Sequence, residues 1–386
     1  MEKEFYKSII NEYTDLLIED FLSFLDLPLF EGKTFIERFS GPEDRRNTIF
    51  NTDALERMIQ ALQSLNVIAN ADGYLKFLGG PTLDTSGIRA ALDLLPKANS
   101  LEDELKNLES FFSYPYIKHQ LEKVPCYQEY LKNSITYDLL VVRKFLSPHA
   151  TYLGLLYGKS IVSEVFGLTS RQIFDHYQDC PLLLRVYGLG FASSHFLSDI
   201  DFISKINFSN GEEIADIGAG YGHLGNLILK ANSDQIYYLA VDLPGVRDAF
   251  KDELYEFKQL YRQKFDFVEG NFFGPHSYIQ GIEGRKFQKI FLGWILHDWS
   301  DSQCIEILRK CRSHMDSKSE LYIFELLPNS RKLTFTFTDW LMLVMADGYE
   351  RSLEQYEKIF NDAGFKLDKV FQSESARSML RIVQND

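Results

Sequence analysis

Glu213-Ile214-Ala215-Asp216-Ile217-Gly218-Ala219-Gly220-Tyr221-Gly222 is the stretch on which the fold turns. A short apolar run ends in a carboxylate and breaks into glycines at Gly218, Gly220, Gly222 and Gly225. Glycines there let the backbone turn tightly and approach a ligand without a Cβ in the way. Downstream, apolar strand patterns recur at Ile236 to Asp242, Phe265 to Glu269, Lys289 to Leu296 and Leu321 to Leu327. Helical patterns at 222–231, 246–260 and 302–315 separate them. Alternation of this kind predicts an α/β, doubly wound, mostly parallel sheet with helices on both faces. Two further strands, Leu367 to Ser373 and Met379 to Val383, follow a helix at 353–362 and predict an antiparallel edge pair.

In such a sheet a ligand sits beyond the carboxyl ends of the strands, at the point where the strand order reverses. Gly220-Tyr221-Gly222-His223-Leu224-Gly225 satisfies a GxGxxG pattern, which alone does not separate one nucleotide cofactor from another. Charge separates them. A dinucleotide places an anionic pyrophosphate on this turn, favoured by the helix N-terminus, and Asp216 would sit badly beside it. S-adenosylmethionine brings an ammonium and a sulfonium, which suit Asp216. Asp242, closing the next strand, can accept from ribose hydroxyls of either cofactor.

Outward from this core the chain has 386 residues, with 45% hydrophobic and 25% charged, a globular composition of two or three domains. The net charge is −14 and no Lys/Arg block occurs, which argues against a nucleic-acid partner. Cys126, Cys180, Cys304 and Cys311 form no CxxC pair, so reduced thiols in the cytoplasm are expected and no metal site among them. The N-terminus lacks the pattern of a signal peptide, and no apolar run approaches the roughly 20 residues that span a bilayer. At the N-terminal end, Ile9, Ile10, Tyr13, Leu16, Leu17, Phe21 and Leu25 recur at helical spacing. Asp53 and Glu56 have capping-box spacing ahead of a helix over 53–65. Asn66 to Phe77 then reads as strand, Asp72-Gly73 turn, strand. Helix followed by hairpin is a winged-helix pattern, but its surroundings are poor in basic residues, so packing or dimerisation is expected of it. A loop follows at 80–100, and 101–205 reads as helical with breaks near Pro115, Pro125, Pro148 and Pro181.

Five segments in order carry a family resemblance: Ile214 to Gly222; Val241-Asp242-Leu243-Pro244; Glu269-Gly270-Asn271-Phe272-Phe273; Trp294-Ile295-Leu296-His297-Asp298-Trp299-Ser300-Asp301; and Gly348-Tyr349-Glu350-Arg351-Ser352. Together they resemble the caffeic-acid and hydroxyindole type O-methyltransferases, which include bacterial natural-product tailoring members. The resemblance is strong over residues 180–386, weaker over 50–80, and poor over 85–175.

The resemblance implies a Rossmann-like class I methyltransferase domain over 206–386 and a helical, winged-helix-like dimerisation domain over 1–100. A helical linker over 101–205 would contribute to the substrate pocket. It implies metal-independent methyl transfer from S-adenosylmethionine to a hydroxyl of a small aromatic or polyketide-like molecule, leaving S-adenosylhomocysteine. A homodimer is expected, with neither nucleic acid nor membrane as partner. His297 takes the place of the general base, with Glu325 and Glu350 orienting its imidazole. Cofactor contacts are implied at Asp216, Gly218, Gly220, Gly222, Asp242, Leu243, Asn271, Phe272, Trp299 and Ser194. The residues alone agree: His297 follows an apolar strand, and a carboxylate fixing one imidazole nitrogen leaves the other as proton acceptor. A phenol titrates near ~10 and an imidazole near ~6.5, so full proton transfer is uphill by about 5 kcal/mol. Concerted removal during in-line attack lowers that demand, and positioning supplies the larger share.

Three positions depart from the family. Asn271 stands for the aspartate that accepts from the adenine amino group, Gly293 for a cofactor-contacting lysine of plant members, and Asp347 for a glycine. Other readings remain: methylation of nitrogen or carbon, or bound S-adenosylmethionine used without methyl transfer for hydroxylation, decarboxylation or a pericyclic reaction. A non-enzymatic winged-helix regulator or a dinucleotide oxidoreductase would use only parts of the pattern.

Overall fold

A computed structural model describes residues 101–139, 180–232, 236–328, 348–373 and 377–385 continuously, with shorter pieces elsewhere. Two compact units divide the chain. The first comprises Met1–Glu164, Leu189–Ser194 and Leu343–Met345; the second comprises Val165–Gly188, His195–Met342 and Ala346–Asp386.

In the first unit, β1 (Pro28–Phe30) pairs with β2 (Lys33–Thr34). β3 (Ile68–Ala71) pairs antiparallel with β4 (Tyr74–Phe77), Ala71 opposite Tyr74. That is the hairpin expected from the Asp-Gly signal; the turn residues lie outside the described residues. Of the expected 53–65 helix, Ala54, Arg57, Ile59, Gln60 and Gln63 are helical. Helices α1 (Leu101–Ser113), α2 (Pro115–Glu122) and α3 (Gln128–Tyr137) follow. Pro115 begins α2 at the position where a missing N–H costs nothing. The expected break at Pro148 lies outside the described residues.

The second unit holds a seven-stranded sheet with order β10-β11-β9-β8-β5-β6-β7. Its strands are β5 (Glu212–Ile217), β6 (Ile236–Asp242), β7 (Phe265–Glu269), β8 (Phe287–Gly293), β9 (Met315–Leu326), β10 (Phe365–Gln372) and β11 (Arg377–Gln384). The five from β5 to β9 are parallel, and β11 runs antiparallel between β9 and β10. Buried residues at Ile214, Ala215, Leu239, Ala240, Ile290, Phe291, Leu321 and Tyr322 make these central strands apolar on both faces, as parallel strands covered on both sides must be. The order reverses between β5 and β8, which sets the ligand cleft at their carboxyl ends.

The covering helices include α4 (Pro181–Ile203), α5 (His223–Asn232), α6 (Pro244–Ala249), α7 (Lys251–Tyr261), α8 (Asp301–Ser313) and α9 (Leu353–Ala363). Arg185 of α4 binds Glu253 of α7 and the Ala249 carbonyl. Several details differ from expectation, among them the start of β9 at Met315, where the sequence predicts the end of a helix and places the strand at Leu321. The predicted helix over 246–260 is interrupted at Phe250, which leaves helical geometry at φ −122 and ψ 28. The strand predicted to reach Leu296 stops at Gly293, because Trp294 takes φ 57 and a 3-10 turn follows at Leu296–Asp298. Among the described residues no helix is long and apolar enough to cross a membrane.

Candidate active site

The glycine loop leaves β5 with Gly218, Gly220 and Gly222 at φ 75, 54 and 85, conformations that side chains resist. Gly218 and Ala219 donate to the Val241 carbonyl at 2.8 and 3.2 Å, so the loop is pinned to the end of β6. Asp242 completes the clamp: its Oδ2 accepts from Gly220 N and its Oδ1 from Leu243 N, both at 2.7 Å. Burial pushes Asp242 up to about 6, against the pull of those two backbone donors. Beyond Gly220 there is open space, with no atom within 4 Å of where a side chain would begin.

Asp216 is 3% exposed and accepts a short hydrogen bond from the Tyr238 hydroxyl. Burial raises it to about 7, offset in part by that bond. His223, at the start of α5, is 9% exposed, its Nε2 is buried without a hydrogen-bond partner, and burial lowers its ring to about 4.

Around the next loop, Asn271 Oδ1 accepts from Phe273 N at 2.7 Å, closing a turn on itself. Phe272, Phe273 and Phe174 surround Trp299, with ring centres 5.9, 4.5 and 5.5 Å away. Lys310 from α8 holds this loop from below, donating to the Phe272 and Gly274 carbonyls at 2.8 Å each. Leu243 is half-buried beside Asp242. Ser194 belongs to the first unit, is exposed, and donates within its own helix to the Phe191 carbonyl.

His297, Glu325 and Glu350 lie together in the second unit. His297 is 1% exposed and its Nδ1 lies 2.8 Å from Glu350 Oε1. Asp298 Oδ1 lies 3.6 Å from the other ring nitrogen, Nε2. Trp294 meets the imidazole edge-on at 4.8 Å and stacks on His195 at 4.4 Å. Glu325 Oε1 accepts from Leu296 N at 2.8 Å, while Oε2 is buried without a hydrogen-bond partner. A nitrogen or oxygen from each of the three residues falls within 4.8 Å of the others.

Burial raises Glu325 to about 7; the adjacent His297 opposes the shift and Glu350 adds to it. A carboxyl that holds its proton more tightly folded than unfolded stabilises the fold at low pH. That contribution disappears as pH rises from the ordinary carboxylate range through about 7. Folding stability is therefore expected to fall over that window, and Glu325→Gln to flatten the slope. Urea midpoints measured from pH 5 to 8 check this; an equal slope in both proteins would contradict it.

The centre is assembled by residues that the sequence did not single out. Arg351 is fully buried and ties two loops together. Its Nε binds Asp301 Oδ1 at 2.9 Å, its Nη1 the Leu296 carbonyl at 2.9 Å and its Nη2 the Trp299 carbonyl at 2.6 Å. Gly348 approaches the His297 carbonyl so closely that a Cβ there would overlap it. Asp339 accepts from the Glu350 backbone N at 2.9 Å. Arg351 had one signal, its place in a motif; Lys310 and Tyr238 had none.

A seven-stranded sheet with this order and a glycine loop at its switch point matches the class I methyltransferase fold. Residues 155–366, more than half of the chain, match the O-methyltransferase domain, and the chain belongs to that family. O-methyltransferase 12 of Dictyostelium discoideum is 30% identical over 228 residues, covering 58% of each chain. Phenazine O-methyltransferase PhzM of Lysobacter antibioticus is 32% identical over 182 residues, covering 46% of this chain and 50% of that one. The chain thus spans about half the length of these curated relatives. Among solved structures, human N-acetylserotonin methyltransferase in complex with SAM has a TM-score of 0.58 at 16% identity, covering 86% of this chain and 95% of that one. LaPhzM has a TM-score of 0.52 at 22% identity, covering 86% and 85%. At these identities the likeness is one of fold.

Proposed function

We propose that this protein is an S-adenosylmethionine-dependent O-methyltransferase acting on a hydroxyl of a small aromatic or polyketide-like metabolite. The observation that carries the reading is the buried His297 Nδ1–Glu350 pair at 2.8 Å, at the same sheet edge as the glycine loop. The residues fit the cofactor. The space beyond Gly220, at the end of β5, is open. The carboxylates of Asp216 and Asp242 suit an ammonium and a ribose, respectively, and Phe272, backed by Trp299, would face an adenine. When bound, the cofactor supplies an electrophilic methyl on a sulfonium.

The protein's part is proton transfer and alignment. Glu350 accepts from His297 Nδ1–H, which selects the tautomer with the lone pair on Nε2. Nε2 is left as the acceptor that would take the proton of a substrate hydroxyl. The resulting imidazolium is stabilised by Glu350 and Asp298. Glu325 holds the backbone of the same turn through Leu296 N. Burial of His297 excludes water from the base.

The N-terminal helix and hairpin are assigned to dimerisation, and the cytoplasm is the expected compartment. Asp242→Ala is expected to weaken S-adenosylhomocysteine binding at least tenfold by calorimetry, because it removes both the ribose acceptor and the Gly220 clamp. Binding of NAD with none of S-adenosylhomocysteine would sink the cofactor reading. Turnover is expected to persist in a chelator. Loss restored by a divalent cation would instead assign His297, Glu325 and Glu350 to a metal.

A further inference from the structure

The catalytic turn gathers one carboxylate more than a general base needs. Among the described residues, His297, Glu325 and Glu350 form a cluster whose nitrogen or oxygen atoms lie within 4.8 Å of one another. They are 1%, 0% and 5% exposed. Nδ1 of His297 faces Glu350 Oε1. Glu325 spends Oε1 on Leu296 N, and its Oε2 is buried without a hydrogen-bond partner. The Tyr356 hydroxyl, within electrostatic range of both carboxylates, is likewise buried without one.

One carboxylate is enough to fix the tautomer of an imidazole, and Glu350 does that. A second beside it is repelled by the first and is costly to bury. Arg351 lies near, but its nitrogens are engaged with Asp301 and with the Leu296, Trp299 and Tyr349 carbonyls. A buried carboxylate oxygen with no donor is short of a proton or a cation. An imidazole with two carboxylates is a donor set for a divalent first-row cation, with a position left for water. Bonds of about 2.1 Å ask these atoms to close up by less than about 1 Å each. The imidazole favours zinc over magnesium, which prefers oxygen alone.

We propose that Zn²⁺ binds His297 Nδ1, Glu325 and Glu350 and switches the catalytic base off. The inhibitory consequence rests on the methyltransferase reading; the site itself does not. With Glu350 accepting from Nδ1–H, the ring's lone pair is on Nε2. The ion needs that lone pair on Nδ1 instead, since a metal binds a deprotonated nitrogen. The Nδ1 proton leaves to solvent, Nε2 gains one from solvent, and the imidazole stays neutral. The nitrogen that would accept a proton from an acceptor hydroxyl now donates one. The two carboxylates balance the charge of the ion. The Asp242 clamp on the glycine loop is untouched. Zinc therefore stops proton transfer and leaves cofactor binding intact, and the enzyme needs no metal to turn over.

The test uses the full chain carrying Cys126→Ser and Cys180→Ser, because Cys126 is exposed and Cys180 half-buried, and either thiol could take zinc. Equilibrium dialysis against zinc sulfate is expected to find one ion per chain, undisplaced by excess magnesium. Glu325→Gln and His297→Ala should each weaken it by about tenfold or more, with retained S-adenosylhomocysteine binding as the check that they fold. Two measurements on the parent chain need no such variant. Zinc K-edge absorption should show nitrogen and oxygen neighbours and no sulfur. In protein labelled with ¹⁵N-histidine, one imidazole, missing from the His297→Ala spectrum, should pass from Nδ1–H to Nε2–H as one equivalent of zinc is added. A sulfur neighbour, unchanged zinc affinity in Glu325→Gln, or a ring that keeps its Nδ1 proton overturns the site, whatever S-adenosylhomocysteine does. Zinc bound in this way by a chain that takes no S-adenosylhomocysteine overturns the methyltransferase reading and the inhibitory role with it.

Discussion

His297→Ala is expected to lower kcat by about 10²–10⁴-fold, the usual contribution of a positioned general base, and to leave S-adenosylhomocysteine affinity within twofold. The separation follows from geometry. His297 faces Glu350, Asp298 and Trp294, whereas the clamp on the glycine loop is Asp242 and the Val241 carbonyl. The loss corresponds to roughly 3–5 kcal/mol of barrier at about 1.4 kcal/mol per decade. Glu350→Gln should fall between wild type and His297→Ala, because an amide can still accept from Nδ1–H but no longer balances the imidazolium. Single-turnover kinetics beside calorimetry separates the two effects. Unchanged turnover in His297→Ala would remove this residue as the base and return the nitrogen, carbon and non-methylating readings to consideration.

Arg351→Met should have the largest effect on stability. Its guanidinium is the main donor to the Trp299 carbonyl and, beside Trp299 N at 3.2 Å, a further donor to the Leu296 carbonyl, from a fully buried position. Leaving the buried Trp299 carbonyl without its main donor costs about 1–3 kcal/mol, and the lost bond to Leu296 about 1 kcal/mol more. The third bond, to Asp301, adds little because that carboxylate is 49% exposed. A loss of about 2–4 kcal/mol lowers Tm by roughly 3–5 °C in a chain of this size. Turnover should fall with it, since both carbonyls flank His297 in the turn. Arg351→Lys should recover only part of the loss, because an ammonium cannot reproduce the planar fork. A Tm within a degree or two of wild type would show that the loops stand without this tie.

The sheet was legible because its strands carry unbroken apolar runs bounded by turn residues, so strand positions for β6 and β7 were readable to the residue. The end of β8 was misread for the same reason. Trp294, Ile295 and Leu296 continue the apolar run while Trp294 turns into left-handed geometry. The break at Phe250 was hidden likewise, since hydrophobic spacing persists across α6 and α7. In the site, residues named by motif were readable as types, but their support was not. Arg351, Lys310, Arg377 and Asp199 are charged groups that composition assigns to the surface, and only long-range pairing makes their burial tolerable. Tyr238 reads as an ordinary strand aromatic until its hydroxyl is placed on Asp216.

Gly348 and the His297 carbonyl meet backbone to backbone. No rotamer lies between them, so the spacing of the two loops is independent of which side chains line the cleft. A lineage can therefore exchange the walls that contact an acceptor molecule, residue by residue, while the base and its carboxylate keep their alignment. Redesign for a new acceptor is best confined to the walls, with Gly348 left untouched.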